Sequence, residues 1–261
     1  MQEIRLPYGD TYMNVIRFGH GKKPLAILAG VNLLGLEGIG AAVEAQYRDF
    51  DRDYDIFLFD RKKVLPRGYA TEDMAEDVYT ALRHFGVEKV SVVGVSHGGM
   101  MALSLTLAHP ELVDRLLLVS TTGRTTESLP EVTLGWIRLA ASHDAGAIND
   151  DFKLRVYSDA YAKKYADAFA AQRNIGTAAD CERFRVLAEA MYSFDRLADV
   201  KAIRCPTLVI GAEKDGVFGV GASVTLAKEM GAELYIYEDA PHAVYDENPD
   251  FLRRAKEFFE R

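Results

Sequence analysis

The amino-acid sequence predicts an α/β protein: a three-layer α/β/α sandwich with a mostly parallel sheet of about eight strands and a helical lid insertion. Three observations lead to this fold class. Short runs of apolar and β-branched residues alternate with segments of helical periodicity. Between residues 122 and 203 only helical patterns occur, and the alternation then resumes. Hydrophobic residues make up 49% of the 261 positions, which is enough for a large core.

Six strands and three helices are predicted in residues 1–121. The strands comprise residues 2–7, 11–18, 25–29, 55–59, 89–95 and 115–120, and the helices 38–47, 71–86 and 98–108. The first two strands flank Gly9 and Asp10, which predicts a hairpin. The third is a continuous apolar run, as expected of a parallel strand that is buried on both faces. Thr71 is expected to cap the second helix and Gly86 to end it.

Residues 122–203 are predicted to form the helical lid. Trp136 lies in its first apolar stretch, and Phe184 and Met191 share a later helical face. Aromatic residues at every fourth position are expected to line one further face: Tyr157, Tyr161, Tyr165 and Phe169. Strand and helix patterns return at residues 207–211, 219–230, 233–237 and 250–260. Residues 1–121 and 204–261 are therefore expected to form one core domain.

Composition and charge exclude several classes of function. The formal net charge of −8 and the lack of clustered basic residues argue against nucleic-acid binding, and also against an acidic carrier protein as partner. Two cysteines are too few for a disulfide framework or a cysteine metal site. No secretory signal pattern opens the chain, and the longest apolar run is too short to span a bilayer. We expect a cytoplasmic protein without a membrane segment, a metal ion or a nucleotide cofactor.

Residues 94–98 read Gly-Val-Ser-His-Gly, which fits the pattern G-x-S-x-G. The pattern is common by itself, but here it joins a β-branched strand to an apolar helix, as a nucleophile elbow requires. Such a turn lifts the Ser96 hydroxyl above the carboxyl end of a central strand, where Gly94 and Gly98 leave room. The following helix N-terminus favours developing negative charge. The His97 side chain is expected to point away from the hydroxyl, its N–H serving as an oxyanion donor and its imidazole lining the pocket.

A nucleophilic serine needs a general base, and the base needs an acid that orients it. Of six histidines, only His242 lies after the last predicted strand, where the base stands in the chain order serine, acid, histidine. Asp215 follows the strand 207–211 and is the candidate acid, with Glu213 as the nearest competitor. Asp60 and Asp73 are expected to cap helices or to face water.

With these residues in place, the sequence resembles the α/β-hydrolase superfamily over essentially its whole length. Ser96, Asp215 and His242 match the catalytic triad of the family in order and placement, and residues 206–211 resemble its acid-bearing strand. The most similar group is that of small, lidded, cofactor-free carboxylesterases and carbon–carbon bond hydrolases. Ser96 stands where haloalkane dehalogenases and epoxide hydrolases have aspartate, so the resemblance implies acyl transfer to water.

The loop after the third strand departs from the family pattern. The family usually has His-Gly there, whereas this chain has Ala29 and Gly30. The resemblance implies that the backbone N–H of Val31 is one oxyanion donor, and that of His97 the second. The Asn32 side chain could add an amide donor or serve only in a turn.

The lid is expected to supply much of the substrate pocket. Its predicted lining residues are Asn32 from the core and Trp136, Tyr157, Tyr161, Phe184 and Met191 from the lid, although each ring could instead pack the lid onto the core. We expect a serine hydrolase acting on small to medium carboxylic esters. A carbon–carbon bond hydrolase of diketone-type substrates and a non-catalytic binding protein are the alternatives. The natural substrate and the oligomeric state stay open.

Overall fold

The computed structural model describes residues 1–125 and 128–261, and an eight-stranded sheet runs through its centre. The strands are β1 (Gln2–Tyr8), β2 (Thr11–Phe18), β3 (Lys23–Leu28), β4 (Tyr54–Lys62), β5 (Val90–Val95), β6 (Val113–Val119), β7 (Thr207–Lys214) and β8 (Glu233–Pro241). Their order across the sheet is β1-β2-β4-β3-β5-β6-β7-β8. Both pairings of β2 are antiparallel, and all five others are parallel. The predicted fold class is confirmed.

Helices cover both faces of this sheet. They are α1 (Gly40–Gln46), α2 (Thr71–His84), α3 (His97–Ala108), α4 (Ser128–Ala141), α5 (Ala145–Val156), α6 (Asp159–Lys164), α7 (Ala166–Gln172), α8 (Ala178–Ser193), α9 (Val220–Met230), α10 (Val244–Glu247) and α11 (Asp250–Glu260). Successive side chains of a strand point to opposite faces, so Val92 and Val93 of β5 belong to different cores. Val92 packs in the cluster of Met74 and Leu226, and Val93 in that of Phe258.

The ends of α2 correct one prediction and confirm another. The N-cap is Ala70, whose N–H donates to Asp73 at 2.9 Å, so the expected cap at Thr71 is wrong. Thr71 is the first helical residue, and its hydroxyl contacts a histidine described below. At the other end, Gly86 has a φ of +73° and the Val87 N–H donates to the Leu82 carbonyl, which closes the helix as predicted.

Helices α4–α8 form a single insertion between β6 and β7. The two segments that connect the insertion to the core run side by side. The Thr125 N–H donates to the Phe194 carbonyl, and the Arg196 N–H donates to the Gly123 carbonyl. The chain thus leaves the core at residues 123–125 and returns to it at residues 194–196, at one place. In the part of the chain that the structure describes, no helix has the length and hydrophobicity needed to cross a membrane.

The aromatic series does not lie on one helix as predicted. Tyr157 follows the end of α5, Tyr161 lies on α6, Tyr165 joins α6 to α7, and Phe169 lies on α7. The helix is interrupted at Ser158, which caps α6 by accepting the Tyr161 N–H. The rings nevertheless meet: Tyr157 stacks on Tyr161 with centroids 5.1 Å apart, and Phe169 packs edge-on against Tyr157. The four-residue spacing therefore indicated which rings cluster but not the break in the helix.

Candidate active site

The loops after β3 and β5 meet where the winding of the sheet changes direction. From β3 the chain crosses to β4 on one side, and from β5 it crosses to β6 on the other. Clefts in α/β sheets lie at such switch points, at the carboxyl ends of the strands. The end of β3 leads into Gly30 and Val31, and the end of β5 leads into Ser96. A predicted oxyanion donor and the predicted nucleophile thus come from adjacent strands.

Ser96 has a strained backbone in the turn between β5 and α3. Its φ of 53° and ψ of −122° are unfavourable for a residue with a Cβ and cost about 1–3 kcal/mol. The surroundings hold this conformation: the Ser96 N–H donates to the Val119 carbonyl at 2.9 Å, and the Thr121 hydroxyl donates to the Ser96 carbonyl at 2.7 Å. Backbone strain that is kept by such contacts is typical of functional sites.

Glycines make this turn sterically feasible. A Cβ on Gly98 would lie 1.9 Å from the Leu28 carbonyl oxygen, and one on Gly94 would lie 2.7 Å from the Ala102 Cβ. The absence of these side chains lets α3 approach the end of β3, as the motif predicts. A Cβ on Gly30 would lie 3.3 Å from the Ser96 Cβ, so the loop after β3 runs close beside the serine.

Asp215 and His242 form a buried hydrogen-bonded pair. Nδ1 of His242 lies 2.8 Å from Oδ1 of Asp215, and both side chains are 2% exposed. The same Asp215 oxygen accepts the N–H groups of Val217 and Phe218 at 2.8 and 3.0 Å. Burial alone would raise the pKa of Asp215, but His242 and these two N–H donors hold it below its ordinary value. The carboxylate therefore stays ionised and fixes the imidazole through Nδ1.

The end of β6 links this pair to the nucleophile. Val119 and Thr121 bind the backbone of Ser96, and between them the Ser120 hydroxyl donates to the His242 carbonyl at 2.8 Å. Three consecutive residues thus hold both segments. In the sequence, Ser120 and Thr121 directly follow an apolar strand, which is a possible signal for this role. No spacing rule, however, connects these hydroxyl residues to Ser96 or His242.

Glu213, the competitor for the acid position, points elsewhere. Its carboxylate accepts the N–H of Asp239 at 2.9 Å, at the exposed carboxyl ends of β7 and β8. Asp215 is the acid that contacts His242.

The two predicted oxyanion donors come from the loop after β3 and from the first turn of α3. Val31 is buried in the loop after β3, and His97 is the first residue of α3, where N–H groups have no partner within the helix. The His97 ring is buried, and its Nε2 lies 3.1 Å from the Thr71 hydroxyl. The imidazole, which was expected to line the pocket, is not among the lining residues of the cavity described below. Burial, with the charges of Arg61 and Arg183, lowers the pKa of His97 well below its usual value, so the ring is neutral.

A buried charge cluster lies behind the loop after β3, and the sequence did not predict it. Asp60 was expected to cap a helix or to face water, but it is buried and accepts from Arg183 Nη2 at 2.7 Å and from the Leu36 N–H at 3.0 Å. Asp73 does cap a helix. Arg61 is equally buried, and its Nη1 donates to the Gly30 carbonyl at 2.8 Å. The cluster places two guanidinium groups and one carboxylate under the loop.

A cavity of about 240 Å³ opens between this loop and the insertion. Three of the predicted pocket residues line it: Asn32, Tyr157 and Phe184. Ser96, Asp215 and His242 are not among the lining residues. The loop that runs beside Ser96 at Gly30 contributes Asn32 and Leu33 to the lining. Asn32 accepts the Gly35 N–H at 2.7 Å, so its carbonyl serves a turn, as the sequence left open.

The other predicted pocket residues lie away from this cavity. Trp136 is buried against Phe152 and Phe184, and its indole N–H donates to Asp151 at 2.8 Å. Met191 is fully buried, and Tyr161 stacks on the outer side of the aromatic group. In the described ranges there is no group of three or more histidine, cysteine or acidic side chains placed to bind a metal ion, and both cysteines are free thiols.

Comparisons with known proteins agree with this architecture. A family model described as alpha/beta hydrolase fold matches residues 31–249. A Cronobacter sakazakii protein provisionally named carbamate hydrolase RutD is 33% identical over 117 residues, which cover 42% of this chain and only 38% of that relative. A 2-hydroxymuconate semialdehyde hydrolase of Pseudomonas putida is 26% identical over 212 residues, or 73% of this chain and 69% of the relative. MGS-M2, an alpha/beta hydrolase enzyme from a deep-sea metagenome library, superimposes with a TM-score of 0.88 at 20% identity, covering 99% of this chain and 98% of that chain.

Proposed function

Because the chain belongs to the α/β-hydrolase family, we propose that it is a serine hydrolase that cleaves small to medium carboxylic esters through an acyl-enzyme intermediate. The buried hydrogen bond between Asp215 and His242 carries this proposal. That pair lies beside a strained serine turn, and β6 binds both segments. In serine hydrolases, a histidine that is oriented by an ionised carboxylate takes the proton of the serine hydroxyl and so activates it for attack on a carbonyl.

The reaction follows from the roles of these groups. His242 takes the proton of the Ser96 hydroxyl as the oxygen attacks the ester carbonyl, and Asp215 stabilises the resulting imidazolium. The N–H groups of Val31 and His97 donate to the oxyanion, each contributing about 3 kcal/mol to lowering the barrier. The imidazolium then protonates the departing alcohol. Water repeats the same steps on the acyl-enzyme and releases the acid.

The cavity beside Asn32 supports a limited substrate size. Its volume of about 240 Å³ and its apolar lining by Leu33, Ile148 and Phe184 suit one short acyl or alcohol group. We therefore place the uncharged, apolar part of the ester there. The remaining proposed pocket residues act by packing: Trp136 and Met191 support the wall that Phe184 presents, and Tyr161 supports Tyr157.

A second candidate is hydrolysis of a carbon–carbon bond in a diketone-type substrate by the same triad. The similarity to 2-hydroxymuconate semialdehyde hydrolase over 73% of the chain favours it. Single-turnover measurements with matched ester and diketone substrates separate the two candidates, because the faster chemical step identifies the preferred bond. The third expectation, a non-catalytic binding protein, requires tight binding without turnover in the same assays.

Labelling with a fluorophosphonate probe tests the proposal. Wild type is expected to be labelled and to hydrolyse p-nitrophenyl acetate and butyrate faster than the dodecanoate. Ser96→Ala should abolish labelling and turnover. Ser104→Ala is the matched control, since it removes a buried hydroxyl from the same helix and should change neither. A folded wild-type protein that resists labelling, or a Ser96→Ala variant with full esterase activity, would show the mechanism to be wrong.

A further inference from the structure

One guanidinium of the buried charge cluster touches the peptide that carries an oxyanion donor. Nη1 of Arg61 donates to the Gly30 carbonyl oxygen at 2.8 Å. That carbonyl and the Val31 N–H belong to the same peptide group. In a planar trans peptide the C=O and N–H bonds point in opposite directions, so a contact that fixes one also fixes the other. A Cβ on Gly30 would lie 3.3 Å from that of Ser96, which places this peptide beside the serine.

We infer that Arg61 is a positioning residue for the reaction: it holds the Gly30 carbonyl away from Ser96 and so aims the Val31 N–H at the oxyanion. This inference rests on the proposed function. It also accounts for the departure of this loop from the family pattern. Ala29 cannot support the loop through a side-chain hydrogen bond as a histidine could, and Arg61 supports it from behind.

The partners of Arg61 agree with this role better than with a role in packing alone. Within the described residues, Nε and Nη2 of Arg61 have no hydrogen-bond partner. The Gly30 carbonyl is therefore the one acceptor described for this side chain. Burying unpartnered donors costs about 1–3 kcal/mol, which stability alone does not explain. Burial lowers the pKa of Arg61 to about 10, which still leaves it charged at neutral pH.

The charge of Arg61 strengthens the donor as well as orienting it. Asp60 is paired with Arg183 at 2.7 Å, whereas the Arg61 guanidinium lies against the Gly30 carbonyl. A cation bound to the carbonyl end of a peptide polarises it and makes its N–H a stronger donor.

Arg183 provides a matched control for the test. Arg61→Met and Arg183→Met each remove one buried guanidinium, and each leaves one arginine beside Asp60. Of the two arginines, only Arg61 contacts the Gly30 carbonyl, which also accepts a longer hydrogen bond of 3.4 Å from the Asn32 amide. Arg183 binds Asp60 and the Lys62 carbonyl, with longer contacts to Asn32 Oδ1 and the Arg61 carbonyl. A role in stability alone predicts similar effects of the two variants, while the positioning role predicts a loss of activity in Arg61→Met.

The readout is the affinity for a trifluoromethyl ketone, which adds to serine and forms an oxyanion, compared with the matching methyl ketone, which binds without one. We expect Arg61→Met to lower kcat and to weaken trifluoromethyl ketone binding by about 10- to 100-fold, a part of what deleting a donor costs. KM and methyl ketone binding should change by less than about threefold. Arg183→Met should lower Tm but keep the ratio of the two affinities.

Two results would overturn the inference: equal losses of kcat in Arg61→Met and Arg183→Met, or an unchanged ratio of ketone affinities in Arg61→Met. If Arg61→Met does not fold, Arg61→Lys decides by the same ratio, which should fall because an ammonium cannot reproduce the guanidinium contact. Failure of the proposed function would appear differently, as a Ser96→Ala variant that retains activity whatever occurs at Arg61.

Discussion

Replacing Asp215 by asparagine gives the sharpest test of the candidate triad. The side chain keeps its shape and can still accept the N–H groups of Val217 and Phe218, so the loop is expected to keep its structure. What changes is the charge 2.8 Å from His242 Nδ1. In the proposed mechanism, the carboxylate stabilises the imidazolium that forms when Ser96 loses its proton, and the neutral amide would not.

The distance sets the magnitude of the effect. Unit charges about 3–4 Å apart attract each other by about 4–6 kcal/mol at an effective dielectric constant of about 20. Each 1.36 kcal/mol corresponds to a factor of ten in rate, so kcat should fall by about 10³- to 10⁴-fold. A carboxylate-to-amide change at the equivalent position of serine proteases costs about 10⁴-fold, in part through the wrong histidine tautomer.

The assay is steady-state hydrolysis of p-nitrophenyl acetate, with circular dichroism as a check on folding. Glu213→Gln is the matched control: it neutralises a carboxylate at the end of β7, two residues before Asp215, whose contact is the Asp239 N–H. It should alter kcat by less than about twofold. If Asp215→Asn stays within tenfold of wild type while Ser96→Ala is inactive, Asp215 is not the orienting acid.

The remaining predictions concern the turn and the buried histidine. Gly98→Ala should lower the free energy of unfolding by about 3 kcal/mol or more in urea titrations, because its Cβ would lie 1.9 Å from the Leu28 carbonyl oxygen. Gly221→Ala in α9, whose Cβ would meet no atom within 4 Å, should instead stabilise the protein by up to about 1 kcal/mol, and equal effects would refute the steric account. His97 is neutral in the fold because its pKa is lowered, but below about pH 6.5 it takes up a proton on unfolding, so stability is full above that pH and falls as the pH drops. His97→Gln should therefore flatten the decline between about pH 6.5 and 4.5 by up to about 1.4 kcal/mol per pH unit, and an unchanged slope would contradict the buried neutral ring.

The sheet was predictable because its signal is local. Each strand of a sheet that is buried on both faces is an apolar run, and every predicted strand is present. The limits were less accurate where polar residues continue a strand. The predicted strand 55–59 extends to Lys62, because Asp60 and Arg61 are buried within the structure despite their charge. Hydropathy predicts that such residues face water.

The serine, the acid and the histidine were also predictable, because their order along the chain follows from the order of the strands. The charge cluster behind the loop was not. Arg183 and Asp60 are 123 positions apart, and nothing local to either residue indicates burial or its partner. The helix break at Ser158 also depends on a distant residue. The Glu247 carboxylate accepts hydrogen bonds from the N–H and the hydroxyl of Ser158, and it lies 89 positions away along the chain.

These long-range contacts also constrain how substrate reaches Ser96. Arg183 of α8 ties the insertion to Asp60 under the oxyanion loop, and Val156 at the end of α5 accepts the N–H of Ala243, next to His242. Lifting the whole insertion would leave Asp60 buried without that guanidinium, at a cost of the order of 3 kcal/mol, and would release the segment that holds the base. Movement of the insertion would thus disturb both ends of the candidate site at once. The cavity beside Asn32 opens without breaking either tie, so a substrate part bound there would leave the Arg183–Asp60 and Ala243–Val156 contacts in place.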